Sequence, residues 1–359
     1  MKICLIIGTR PEIIKMSPII KECKKRHFDF FILHTNQHYS ENLDRIFFRD
    51  LDLPKPKYNL RIGSGTHGEE TGKMLIGIEK VLLKEKPDVV VIVGDTNTVL
   101  AGALAAVKLH IKIAHIESGV RSYFREMPEE INRIVADHIS DFLFTASSRE
   151  KDILIDEGID KEKIFVVGNT IADAVYQNLE IAKKKSMILK KINLQKGKYF
   201  LATIHRQENV DKKDRLKAIL DGFNLIYKKF NFPIIYPIHP RTQKRLKEFK
   251  LKIPKGIKLF EPIGYLDFLQ LEFNANLILT DSGGVQEESC ILKIPSLTLR
   301  DNYEWPETLE TGGNILVGAN PQKILKGAEE ILKKTRNWGN PFGNGKSAEM
   351  IMEILYSKL

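Results

Sequence analysis

No run of about 18 apolar residues occurs in the chain, so no segment reads as a membrane span. Cysteine is scarce. Cys4, Cys23 and Cys290 are the only three, odd in number and without CxxC spacing. That argues against a disulfide framework and fits reduced, buried thiols in a cytoplasmic protein. No GxGxxG follows the first apolar run, and neither GxSxG nor HExxH is present. GNGKS (343–347) has Asn340 where a phosphate-binding loop needs glycine, so it is not one. His34 and His38 are four apart, but a strand end and a loop do not make a helical metal pair, and no metal is expected. The N-terminal apolar run lacks a small-residue cleavage site and is cut at Gly8; it reads as a first strand rather than a leader.

The chain has 359 residues and a formal net charge of +10. The excess of cations invites a nucleic-acid reading, but the lysines are scattered and lack interleaved aromatics, so no nucleic-acid partner is expected. The length exceeds what one core usually spans, which favours two domains.

Short β-rich runs alternate with amphipathic stretches. In the first half they are 2–7, 30–34, 89–93, 112–117, 142–146 and 164–167; in the second, 199–204, 234–238, 257–260, 276–280, 295–299 and 314–317. Most are apolar throughout, as strands buried on both faces of a parallel sheet are. The pattern predicts an α/β protein of two doubly wound Rossmann-like domains facing a cleft. The expected domains are 1–168 plus 341–359, and 169–340.

The residues that carry chemistry fall at strand ends. After the first strand, GTRPEIIKMSPII places Arg10 and Lys15 near a helix start, where two cations read as an anion site; pairing of Arg10 with Glu12 is the structural alternative. In VGDTNT, Asp95 either caps a helix or meets substrate. In HIESGVRS, Glu117 ends a buried strand as a partly desolvated carboxylate, with a salt bridge to Arg121 as the alternative. In MPEEINR, Glu129 and Glu130 suit the first turn of a helix, and Glu130 can pair with Arg133. In the second half, His205 and Arg206, then His239 and Arg241, follow strands and suggest an anion-facing rim. In TDSGGVQEES, Asp281, Ser282, Gly283 and Gly284 form a turn into a helix whose free N–H groups suit a diphosphate. Glu288 then lies where a carboxylate reaches two ribose hydroxyls, and Glu287 points about 100° away.

Taken in order, GTRPEIIKMSPII, GDTNT, HIESGVRS, PEEINR, GNTIAD, HRQENV and DSGGVQEE resemble the non-hydrolysing UDP-N-acetylglucosamine 2-epimerases over nearly the whole chain. The resemblance implies the fold of the B-class glycosyltransferases. It implies an isomerase that interconverts UDP-GlcNAc and UDP-ManNAc by eliminating UDP to a 2-acetamidoglucal and adding it back, with no cofactor. It implies Asp95, Glu117, Glu129 and His205 as catalytic residues. Arg10, Lys15, Ser282, Gly283, Gly284 and Glu288 would bind substrate. A homodimer is implied as well. One departure stands out: LRDNYEWPET (299–308) carries Trp305 where the family has arginine, so a phosphate or sugar contact is lost there or taken over by Arg300. A B-class glycosyltransferase, a hydrolysing 2-epimerase and a UDP-sugar sensor are the competing readings.

Overall fold

The structure, a computed structural model, describes residues 1–36, 41–302 and 304–359, with the side chains of 41–45 outside the description; His38 therefore lies outside the described residues. The first parallel sheet holds β1 (Lys2–Ile7), β2 (Asp29–His34), β3 (Tyr58–Asn59), β4 (Val89–Val93), β5 (Lys112–Ile116), β6 (Phe142–Thr145) and β7 (Ile164–Val166). Their order is β3-β2-β1-β4-β5-β6-β7. The second holds β8 (Phe200–Thr203), β9 (Ile234–Pro237), β10 (Ile257–Phe260), β11 (Leu277–Thr280), β12 (Ser296–Thr298) and β13 (Asn314–Leu316), in the order β10-β9-β8-β11-β12-β13.

Every apolar run named above forms a strand, because a parallel strand covered by helices on both faces has no polar side to interrupt it. β4 is buried at every position. Among the described residues β3 is the one addition. It pairs only through Leu33 with Tyr58 and His34 with Asn59, at the sheet edge.

In each sheet the strand order reverses once, between β1 and β4 and between β8 and β11. Loops leaving neighbouring strands at such a point diverge to opposite faces and open a crevice at the carboxyl ends. The chain divides into two compact units, Met1–Gln177 with Phe342–Leu359, and Asn178–Pro341. The final helix, Ser347–Lys358, lies on the first unit against the helix Arg10–Lys25: Cys23 Sγ is 3.9 Å from Met352 Sδ, and Arg26 donates to Glu353 at 3.2 Å. All three cysteines are free and buried.

Candidate active site

In the first unit the switch point gathers residues from three strand ends. Gly8 ends the chain's run out of β1, where a side chain would collide with the hydroxyls of Thr98 and Thr35. The next turn is fastened by Glu12, which is buried and accepts from the Gly8 and Thr9 N–H groups, both at 2.7 Å, and from Thr96 Oγ1 at 2.5 Å. Arg10 is exposed, its guanidinium 5.7 Å from the Phe47 ring centre.

Lys15 Nζ reaches 2.5 Å from the Glu117 carboxylate, which also accepts from Asn169 Nδ2 at 3.2 Å. The partner considered for Glu117, Arg121, instead pairs with Asp137 and Glu157, each at 2.7 Å. Glu117 sits at φ +68°, in the left-handed region. For a residue with a Cβ that costs about 1 kcal/mol or more. The Glu117 and Ser118 N–H groups hold it there by donating to the Phe144 carbonyl at 3.1 and 3.2 Å.

Asp95 does not cap the helix Asn97–Lys108; Thr96 does, accepting from Thr98 N at 3.2 Å. Asp95 is instead ion-paired with Arg133. Burial holds the Asp95 carboxyl above its ordinary range, against the pull of Arg133 and with the push of the Glu117 charge. Glu130 lies 3.3 Å from Arg133 and accepts from Ser122 and Tyr123 N–H groups, each at 2.9 Å. Glu129, in the first turn of the helix Pro128–Ile139, is half-buried and has no hydrogen bond or ion pair among the described residues.

Two residues of this cluster escaped sequence reasoning. Arg133 looked like the helical partner of Glu130 and turns out to be shared with Asp95. His115 is fully buried, its Nδ1 2.7 Å from Asp137 and its Nε2 2.8 Å from the Gly94 carbonyl. With acceptors at both nitrogens the ring carries two protons. Burial alone would lower its pKa, but the Asp137 charge and both hydrogen bonds raise it.

In the second unit Asp281 is the knot between two loops. It is fully buried and accepts from the His205 and Arg206 N–H groups at 3.1 and 3.0 Å and from Asn209 at 2.9 Å. The His205 ring stands 3.2 Å away through Nδ1 and stays partly exposed. His239 has a structural task, accepting from Arg241 N at 3.2 Å as the cap of the helix Pro240–Glu248. Arg241 is ion-paired with Asp211. The two corners do come together: the His239 ring centre lies 5.8 Å from that of His205.

Ser282 precedes the helix Gly283–Ile291 and makes no side-chain cap bond. Gly284 is exposed, with open space where a side chain would be. Above Gly283 lies the Glu304 carboxylate, bridged to Arg206 at 2.9 Å and Arg300 at 2.6 Å. Glu288 is buried and accepts from the Tyr265 hydroxyl at 3.0 Å; Glu287 is buried too.

The family model described as UDP-N-acetylglucosamine 2-epimerase matches residues 21–356. The chain belongs to the UDP-N-acetylglucosamine 2-epimerase family. A family relative named UDP-N-acetylglucosamine 2-epimerase, from Methanocaldococcus jannaschii, is 63% identical over 361 residues, covering 99% of each chain. Another of that name, from Methanococcus maripaludis, is 56% identical over 363 residues, again 99% of each. A solved structure of the Methanocaldococcus jannaschii UDP-GlcNAc 2-epimerase, in complex with UDP-GlcNAc and UDP, superposes with a TM-score of 0.89 at 63% identity, covering 99% of this chain and 100% of that one. The resemblance read from the motifs is thus borne out, and so is the fold of two Rossmann-like parallel sheets. Within this 2-epimerase family frame, Trp305 opens the short helix Pro306–Glu310, and Arg300 stands beside Glu304.

Proposed function

We propose that this protein is an isomerase that interconverts UDP-GlcNAc and UDP-ManNAc without hydrolysis. The observation that carries the reading is the cluster at the first switch point, where Asp95 and Glu117 are held by Arg133 and Lys15. It accompanies an open helix N-terminus at Gly284 in the second unit.

The proton on C2 of the sugar has no carbonyl beside it and is weakly acidic. Loss of that proton becomes feasible when UDP leaves C1 at the same time, the C–H electron pair forming the C1–C2 double bond of a 2-acetamidoglucal. Re-addition of UDP, with a proton returned to the other face of C2, completes the inversion. Such a reaction needs two proton carriers and a stabilised leaving group. Asp95, Glu117 and Glu129 divide removal of the C2 proton, its return and the steadying of the charged intermediate. Burial raises the Asp95 carboxyl above its ordinary range, the direction that favours a proton carrier. Arg10, His205, Ser282 and the Gly283 and Gly284 N–H groups meet the diphosphate. Arg206 and Arg300 supply the charge that Trp305 does not. Lys15 orients Glu117, and Glu288 accepts the ribose hydroxyls. The family reading also carries a homodimer and a cytoplasmic location.

Incubation with UDP-GlcNAc in D2O, followed by proton NMR, tests the reading. The expected result is a UDP-ManNAc signal with deuterium at C2. Free ManNAc with UDP would assign the chain to hydrolysis. Unchanged substrate in the presence of measurable UDP binding would overturn the epimerase reading in favour of a transferase or a sensor.

A further inference from the structure

Asp95 and Glu117 stand on two turns at the carboxyl ends of β4 and β5. Both turns are bent in the uncommon sense: Gly94 at φ +83°, Glu117 at +68° and Gly119 at +81° lie in the left-handed region. A side-chain-bearing residue keeps such a conformation only where its surroundings over-determine it. The turns also approach each other closely, since a Glu117 carboxylate oxygen lies 4.0 Å from the place a Cβ would take at Gly94.

One side chain spans the two turns. His115, fully buried in β5, donates from Nε2 to the Gly94 carbonyl at 2.8 Å, one residue before Asp95. Its Nδ1 donates to Asp137 at 2.7 Å. The other oxygen of Asp137 accepts from the Gly119 N–H at 3.1 Å, two residues after Glu117. Arg121 reaches that same oxygen at 2.7 Å, so the buried Asp137 charge is paired on both sides. Gly94 is held at its N–H as well, which donates to the Ile116 carbonyl at 3.1 Å. The Asp95 carbonyl accepts from Asn132 at 2.9 Å, and the Asp95 carboxylate meets Arg133. Asn132, Arg133 and Asp137 all belong to the helix Pro128–Ile139, so one helix braces both turns.

A tie between strand and helix would need the Nδ1 bond alone. The second ring nitrogen and the second Asp137 oxygen are directed instead at backbone atoms beside the two carboxylates. We propose that His115 is a positioning residue: through its bonds to Gly94 and Asp137 it locks the two turns to each other and so fixes the spacing of Asp95 and Glu117. The inference rests on the reading of those two residues as proton carriers. His115 itself touches no substrate. Removing a proton from one face of C2 and returning one to the other makes that spacing matter, because a misplacement of about 1 Å can cost about a hundredfold in rate.

Two replacements each keep one tie. The amide nitrogen of asparagine stands where Nδ1 does, and that of glutamine near where Nε2 does. His115→Asn therefore retains the Asp137 bond, and His115→Gln the Gly94 bond. Epimerisation kinetics with UDP-GlcNAc, UDP calorimetry and a urea midpoint are measured on both variants and on wild type. Each variant is expected to lower kcat by about 10- to 100-fold. The Kd for UDP is expected to stay within about twofold, because the groups proposed to meet the nucleotide lie in the other unit. Wild-type kcat in either variant, whatever its urea midpoint, would overturn the positioning role and leave His115 as support for the fold alone. UDP affinity lost in step with kcat would overturn it as well, since that is general damage. A measurement on wild type serves should a variant not fold: 15N NMR of histidine-labelled protein at neutral pH is expected to show a His115 ring with both nitrogens protonated. A ring with a single proton would leave one tie unmade and overturn the proposal. Wild type that leaves UDP-GlcNAc unchanged would remove the proton-carrier reading itself, and this inference with it.

Discussion

Asp95 and Glu117 are each held by a cation and each placed at a strand end of one sheet, so their positions are fixed before substrate arrives. Preorganisation of this kind supports proton transfer rather than binding. Glu117→Gln and Asp95→Asn preserve shape and remove the proton carrier. Each is expected to lower kcat by about 10²- to 10⁴-fold while UDP affinity stays within about twofold. Single-turnover assays alongside UDP calorimetry measure both quantities; turnover retained in both variants would take these residues out of the chemistry. Glu117 was legible because a lone carboxylate closing an apolar strand has few structural uses. Its lysine was visible only as a cation near a helix start, since the contact spans more than a hundred positions of sequence.

Elements carry a different constraint, which is how closely they approach. The turn out of β1 passes so near Thr98 and Thr35 that a methyl at Gly8 has no room, and those two hydroxyls are themselves bonded at 2.8 Å. Gly8→Ala is expected to destabilise the first unit by about 1–3 kcal/mol, read as a lowered urea midpoint. An unchanged midpoint would mean that the turn shifts freely. The tie between β5 and the helix Pro128–Ile139 runs through His115 and Asp137. The folded pKa of His115 is raised above 6.5, so its contribution is complete below that pH and is lost as pH rises through the folded value. Stability is therefore expected to fall from neutral toward alkaline pH, and His115→Gln to flatten that slope; parallel slopes in denaturant titrations of the two proteins would contradict it. The strands were readable because parallel sheets leave apolar runs uninterrupted. β3 was not, because two residues paired at one edge carry no period to detect. His115 was missed since its neighbours, in a strand buried from Ile113 onward, gave no sign that two acceptors converge on its ring.

At the scale of the whole molecule, the division of labour is the remaining claim. Each unit has its own core: Phe200, Phe223 and Leu279 lie in the second, Ile6, Val90 and Ile92 in the first. The groups proposed to meet the nucleotide, His205, Ser282 to Gly284 and Glu288, all belong to the second unit, and the proposed proton carriers Asp95, Glu117 and Glu129 to the first. A ligand that binds only folded protein stabilises what it touches, by about 2.7 kcal/mol at a hundred times its Kd. UDP alone, lacking the sugar, is therefore expected to slow amide hydrogen exchange most strongly at residues 281–288 and 204–206. UDP-GlcNAc should add protection around 94–96 and 116–119, where the sugar would lie. The contrast between the two ligands separates nucleotide from sugar without any substitution. Protection by UDP centred on 94–119 instead would reverse the assignment of the two units, and equal protection by UDP and UDP-GlcNAc at 94–119 would leave the carboxylates of the first unit with no sugar to act on.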